Sequence, residues 1–309
     1  MRRSVTVRLE RTYLYVQRRL NFHGRFQFTD RSADRSCAVI VLAGYKPHLW
    51  DLTLPRLMRF IPPDVDVCLT CPGVTSPSLE ARAAANGWSY LSTGANYPSL
   101  ALNLAIRHHP SAVSLLKLDE DVFIGQDFVA RMLAAYRRVE DDGAFRPGFV
   151  APTLNLNGFS YVRFLQALGL VEGFSERFGA PIHAAGSIPV TEDGVVAHWI
   201  WARSVPFDGV SARISAQPPG YSTVPHKFSI GAILFRRDFW QLFGGFKVRP
   251  FVGGIGVDEA HICAACVTFS RVMAVAHDVF AGHFSFAPQD SVMRAALAEL
   301  RPGLELVPE

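Results

Sequence analysis

The chain has 309 residues, 49% of them hydrophobic, and carries a net charge of +4. No stretch approaches the ~20 apolar residues that a membrane span needs, and no secretory leader is visible, so a soluble cytoplasmic protein is expected, at most peripheral to a membrane. That size can bury a large core in one big domain or two small ones, and an odd number of cysteines, five, argues against a disulfide framework.

The charge is uneven. Before Cys37 stand Arg2, Arg3, Arg8, Arg11, Arg18, Arg19, Arg25, Arg31 and Arg35, against Glu10, Asp30 and Asp34. Tyr13, Tyr15, Phe22, Phe26 and Phe28 lie among them. Such a segment suits an anionic partner, a membrane surface or a nucleic acid. It equally suits a first element that packs its aromatics and solvates its arginines.

From Cys37 short apolar runs alternate with helical patterns. Residues 37–43 are a continuous apolar run of the kind found in buried parallel strands. Gly44-Tyr45-Lys46-Pro47 breaks it, and 48–60 has helical spacing closed by Pro62-Pro63. A strand at 65–70, a helix at 77–86, a short strand at 88–91 and a helix at 97–108 follow. This pitch means a parallel sheet covered on both faces, an α/β fold. Two cysteine pairs, Cys68/Cys71 and Cys263/Cys266, have the spacing of metal ligands. In a strand, residues three apart face opposite ways, and the second pair lies in an alanine-rich helical stretch, so both read as buried thiols.

The next strand ends in three carboxylates. Ser114-Leu-Leu-Lys-Leu118 runs into Asp119, Glu120 and Asp121 and turns apolar again at Val122, Phe123 and Ile124. In open α/β sheets ligands bind at the C-terminal ends of such strands. Three packed carboxylates repel one another unless a cation or proton sits among them. A hard divalent ion, Mg²⁺ or Mn²⁺, with phosphate oxygens completing its shell, resolves that repulsion. The plainer alternative is a loop of solvated acids capping the next helix at Asp127.

Beyond it come a helix at 127–140, a strand at 149–153, and one or two helices over 159–178, broken near Gly169 and Gly173. Residues 180–225 show no clear period and read as an irregular insertion, a binding lid or specificity loop. Its aromatic knot, His198-Trp199-Ile200-Trp201, either stacks on a sugar or base or plugs the core. The strand pattern returns at 227–235 and is followed by Arg236, Arg237 and the turn Gly244-Gly245-Phe246. Gly253-Gly-Ile-Gly256 leads into Asp258-Glu259 at a helix start, where acids also favour the helix dipole. Near the end, His283 follows Gly282.

Taken in order, these segments resemble a GT-A fold glycosyltransferase, and the chain is most similar to glycosyltransferase family 2. Val41-Leu-Ala43-Gly-Tyr45-Lys46 stands where that family has its first nucleotide-contacting strand and turn. Asn96-Tyr-Pro-Ser-Leu-Ala-Leu-Asn103 resembles its Asn-x-Gly…Asn segment, Asp119-Glu120-Asp121 its Asp-x-Asp motif, and Gly244-Gly245-Phe246 with Asp258-Glu259 its Gly-Gly-Phe…acidic pair. Gly282-His283-Phe-Ser285 resembles the segment whose histidine joins the metal. The resemblance implies a Rossmann-like, mostly parallel sheet flanked by helices over 37–290, with the acceptor-side insertion at about 155–226, a basic extension at 1–36 and a tail at 291–309.

It further implies transfer of a sugar from a UDP- or GDP-sugar to a hydroxyl of a saccharide, glycolipid or modified nucleic-acid acceptor, with inversion. Mn²⁺ or Mg²⁺ would be held by Asp121, with His283 and Asp119 as partners. Ala43, Tyr45, Lys46, Asn96, Asn103, Asp119 and Glu120 would lie on the donor, and His198, Trp199 and Trp201 on the acceptor. Asp258 would be the base, with Glu259 second. Lys46, Arg236 and Arg237 are candidates for phosphate contacts.

Two departures matter. Thr70-Cys71-Pro72-Gly73 lacks the family's usual base-gripping acid, and Asp258-Glu259 reverses the usual Glu-Asp order. The competing functions are transfer to modified DNA bases, a sugar nucleotidyltransferase and a non-catalytic binder of anionic surfaces. The turn at residues 43–47 is poor in glycine for a triphosphate. A binder leaves the acidic cluster unexplained, because acids repel phosphates.

Overall fold

The computed structural model describes residues 16–17, 19–248 and 256–306. The arginines and tyrosines before Val16, Arg18, and the glycine-segment residues Gly253, Gly254 and Ile255 lie outside them. The fold is α/β. In chain order the strands are β1 (Phe26–Thr29), β2 (Cys37–Leu42), β3 (Asp66–Cys71), β4 (Ser89–Thr93) and β5 (Ser114–Asp119). They continue with β6 (Val122–Ile124), β7 (Pro147–Leu154), β8 (Tyr221–Thr223), β9 (Ala232–Arg236) and β10 (Val272–His283). The chain divides into two compact units.

The first unit takes the described parts of 1–45, 64–115 and 236–265. Here β2, β3 and β4 are parallel neighbours, Ile40 opposite Cys68 and Leu69 opposite Tyr90, and β1 pairs antiparallel with β4 at the edge. Every residue of β3 and β4 is buried, as strands covered on both faces require. The helix Pro77–Ala85 starts where the Ser76 hydroxyl accepts from the Leu79 N–H and proline fills the first helical position. The helix Pro98–His108 is buried from Ser99 to Ile106, which suits its nearly unbroken apolar sequence.

The second unit takes 46–63, 116–235 and the described part of 266–309. Its hub is β10, which runs parallel to β7 and antiparallel to β6 and β8, while β9 lies antiparallel on β7. The expected parallel character therefore holds in the first unit, and the second is mixed. Phe123, Trp201, Phe207, Phe280 and Phe284 form the centre of this unit's core. Fully buried Arg56 sits at its margin, donating to the carbonyls of Ile124 and Leu304 and pairing with Asp208 at 2.6 Å. No helix among the described residues is long and apolar enough to cross a membrane.

The stretch expected to be irregular contains three helices. After Ser160–Leu168 and Val171–Phe178, separated at Gly169, come Pro189–Glu192, Gly194–Trp201 and Phe207–Ser215. Gly194–Trp201 is apolar on nearly every side, so a buried helix here leaves no amphipathic period to read. The helix Asp290–Leu304 likewise stands in what the sequence presents as a tail, burying Met293, Leu300 and Leu304.

Candidate active site

The site is built on the end of β5. Side chains alternate along a strand, so Lys117 and Asp119 share a face. Buried Lys117 donates to the Ile230 carbonyl at 2.7 Å and pairs with Asp119 Oδ1 at 2.6 Å. Glu120 turns elsewhere and accepts from the Trp50 indole N–H at 2.6 Å. The three consecutive acids thus separate onto different partners.

Asp121 follows the end of β5 and is 3% exposed. The pairing of β6 with β10 sets His283 opposite Val122, and the Phe284 N–H donates to the Asp121 carbonyl. That register brings together residues far apart in sequence: His283 Nε2 lies 3.4 Å from Asp121 Oδ2. Gly282 is required beside it, since an added Cβ would lie 2.6 Å from the Trp201 ring. Trp201 in turn donates its indole N–H to the carbonyls of His283 and Phe284, clamping the end of β10.

A lysine completes the cluster. Lys46 Nζ is 2.7 Å from Asp121 Oδ2, 2.8 Å from the Ser285 carbonyl, 3.1 Å from Ser285 Oγ and 3.4 Å from Asp290 Oδ1. Ser285 Oγ donates to Asp290.

These contacts drive the two acids apart in proton affinity. Burial pushes the Asp119 carboxyl above its usual range; Lys117 opposes this and Asp121 adds to it. Burial pushes Asp121 upward too, but His283 and Lys46 outweigh it and hold that carboxyl below its usual range. For Lys46, burial is outweighed by Asp121 and Asp290, which raise the ammonium's pKa. Neighbouring acids with opposed shifts are what a charge-handling site requires.

A divalent ion can be tested against this donor set. His283 Nδ1 lies 3.1 Å from the Leu156 carbonyl, which can only accept, so Nδ1 carries the hydrogen. In the neutral ring Nε2 then presents its lone pair to a carboxylate oxygen. Two acceptors facing each other call for a cation or a proton, and a histidine pinned through its other nitrogen is the usual form of a metal ligand. The pair Asp121 and His283 therefore fits a divalent ion, with the Lys46 ammonium occupying the same oxygen. Among the described residues, no group of three or more His, Cys, Asp or Glu side chains is drawn together to hold a metal.

The other candidates lie on the first unit or in the second unit's core. Ala43 donates its N–H to the Thr70 carbonyl, Tyr45 Oη donates to the Pro72 carbonyl at 2.6 Å, and Gly73 packs on Asn96. Ala43, Tyr45 and Asn96 thus gather at the C-terminal ends of β2, β3 and β4, while Tyr45 and Asn96 stay exposed. Asn103 is fully buried within its helix. Its amide donates to the carbonyls of Asn21 and Phe246 and accepts from the Phe246 N–H and the Trp240 indole, holding the Gly244-Gly245-Phe246 turn. Gly245, with φ +79°, approaches Asn103 so closely that a Cβ would lie 2.9 Å from Oδ1. Arg237 donates to the carbonyls of Ile106, His109 and Ala112, next to a helix C-terminus.

Asp258 and Glu259 occupy the first turn of the helix Val257–Thr268, and Asp258 is buried. Trp201 belongs to the core; Trp199 packs on Phe174 and Phe178 beneath the Arg203 guanidinium, and His198 faces Glu299 at 3.2 Å. All five cysteines are buried and none forms a disulfide. Burial pushes the Cys37 and Cys68 thiols up to about 12, which keeps them protonated.

Lys117, Ser285 and Asp290 were not singled out by sequence reasoning. A lysine in an apolar strand two residues before Asp119 is a legible signal. Asp290 leaves none, because only folding brings it to Lys46.

No protein-family model matches the chain, and no curated protein matches it either. Among solved structures it is similar to the mannosyltransferase PcManGT from Pyrobaculum calidifontis in complex with GDP-Man and Mn²⁺, with TM-score 0.48 and 14% identity over 92% of this chain and 68% of that one. It is also similar to S. aureus TarS 1-349 in complex with UDP, with TM-score 0.48 and 12% identity over 85% of this chain and 65% of that one.

Proposed function

We propose that this chain is a metal-dependent glycosyltransferase that moves a sugar from a UDP- or GDP-sugar to a hydroxyl of a saccharide or other glycoconjugate, with inversion. The observation that carries this reading is the corner at the end of β5. There the buried Asp121 carboxylate faces His283 and a lysine ammonium, and Asp119 is held apart by Lys117. A buried carboxylate kept ionised beside an ammonium is suited to holding a cation against an anionic substrate.

Asp121 and His283 would hold the ion, and Asp119 would face the ribose or a water on the metal. When bound, Mn²⁺ or Mg²⁺ supplies Lewis acidity toward the leaving diphosphate. Ala43, Tyr45 and Asn96 would receive the nucleoside at the strand ends, in keeping with the binding edge of α/β sheets. The acceptor oxygen bonds to the anomeric carbon as the bond from that carbon to the diphosphate oxygen breaks. The bonding pair leaves with the diphosphate. Asp258 takes the acceptor hydroxyl's proton, with Glu259 as the alternative base. A single displacement inverts the anomeric centre.

A thermal-shift panel of UDP- and GDP-sugars, with and without Mn²⁺, tests the reading. A cognate donor at 100 times its Kd should stabilise the protein by about 2.7 kcal/mol, and only with Mn²⁺ present. A panel in which no nucleotide sugar raises Tm under either condition would remove the proposal.

A further inference from the structure

We infer that Lys46 is a built-in exchangeable counter-ion, which occupies Asp121 in the metal-free protein and sets the affinity for a divalent cation by competing for the same oxygen. The inference rests on the metal-dependent reading above and adds a determinant of when the metal binds.

Four contacts carry it. An ammonium has three hydrogens, and Asp121 Oδ2, the Ser285 carbonyl and Ser285 Oγ all lie within 3.1 Å of Lys46 Nζ. The lysine side chain is only 18% exposed, so this is a made site for a cation and not a passing surface contact. The oxygen it holds is the one that His283 Nε2 faces at 3.4 Å. An ion ligated by Asp121 Oδ2 and His283 Nε2 would share that oxygen with the ammonium, and the two cations repel each other at such range.

The structure also supplies a place for the lysine to go. Asp290 Oδ1 lies 3.4 Å from Nζ, its side chain is 30% exposed, and it is fixed by Ser285 Oγ. A modest swing of the lysine would exchange Asp121 for Asp290, keeping the ammonium paired while freeing a carboxylate oxygen. Lys46 would then be a positioning residue for the cation. An anion arriving with the donor would favour the same exchange by giving the displaced ammonium a further partner, so cation and diphosphate would assist each other's binding.

The test is Mn²⁺ titration followed by the paramagnetic resonance signal of free Mn²⁺, with no nucleotide present, on the full chain and three variants. A neighbouring charge moves a carboxylate's equilibria by roughly one to three log units, so Lys46→Met should bind Mn²⁺ at least about tenfold more tightly than the parent. Lys46→Arg keeps the charge and should bind as weakly as the parent. Asp290→Asn removes the lysine's fallback and should weaken binding, an opposite sign that keeps the idea testable if Lys46→Met folds poorly. Equal Mn²⁺ affinity in the parent, Lys46→Met and Asp290→Asn would overturn the exchange while leaving the metal site standing. Absence of Mn²⁺ binding in all four proteins would overturn both.

Discussion

Asp121→Asn is expected to lower kcat by about 10²–10³, the loss seen when one preorganised electrostatic contact to developing charge is removed. The substitution preserves shape and removes only the charge. Lys46 keeps both Ser285 contacts and its approach to Asp290, so the fold should survive. The carboxylate's chemistry explains why the charge is the sensitive quantity. Asp121 is held below its ordinary 3.8 despite burial, by His283 and Lys46. A lowered carboxyl pKa adds stability that is present above the unfolded value and lost as pH falls through the folded one. Lys46 is raised above 10.5, so its contribution is present below that value and lost as pH rises through the folded one. The pair is therefore charged across the neutral range, and Asp121→Asn should lose activity at every pH in that range. Steady-state kinetics with circular dichroism as a fold control make the comparison. Turnover within threefold of the parent would remove Asp121 from the chemistry.

Asp258→Asn carries the second large effect. General base catalysis contributes about 10²–10⁴ in rate, so transfer should fall by that factor while donor affinity is unchanged. Asp258 also sits in the first turn of the helix Val257–Thr268, where a carboxylate favours the helix dipole. A purely structural role would lower Tm and leave the kinetics of the folded fraction intact. Glu259→Gln is the comparator, since both acids occupy the same turn. If Asp258→Asn transfers at the parent's rate and Glu259→Gln does not, the proton goes to Glu259.

Much of this was legible from local pattern. The apolar runs of β2 and β3 and the charge-ended β5 announce themselves, because strands covered on both faces read as nearly continuous apolar runs. Buried Lys117 inside β5 is an exception that Asp119 and the Ile230 carbonyl satisfy. The helices at Trp50–Phe60 and Pro98–His108 were visible from spacing and from the prolines beside them. What escaped has physical causes. The stretch read as a tail holds the helix Asp290–Leu304, which contains Pro302 and is held by buried Met293, Leu300 and Leu304. β10 is buried on both faces and bulged between Val275 and Phe280, so its alternation is broken and only its last histidine drew notice.

The candidate site divides in the same way. Asp119 and Asp121 were singled out because carboxylates framed by apolar runs are conspicuous, and His283 because it follows Gly282 at the place in the order of segments where the resemblance puts a metal-joining histidine. Asn103 looked like a ligand-facing amide, but its hydrogen-bonding groups are directed at Asn21, Trp240 and Phe246. A sequence shows that a buried polar residue needs partners without showing which ones it finds. Lys46 was visible as a cation near the first turn; that it lies on Asp121 depends on long-range packing.

The direct measurement is the phosphorus magnetic resonance spectrum of bound UDP or GDP as Mn²⁺ is added. A cation held by Asp121 against the leaving diphosphate should broaden the β-phosphate line of the bound nucleotide in the parent protein and spare it in Asp121→Asn. Bound nucleotide whose phosphate lines stay sharp at saturating Mn²⁺, or broaden equally in both proteins, would contradict the account.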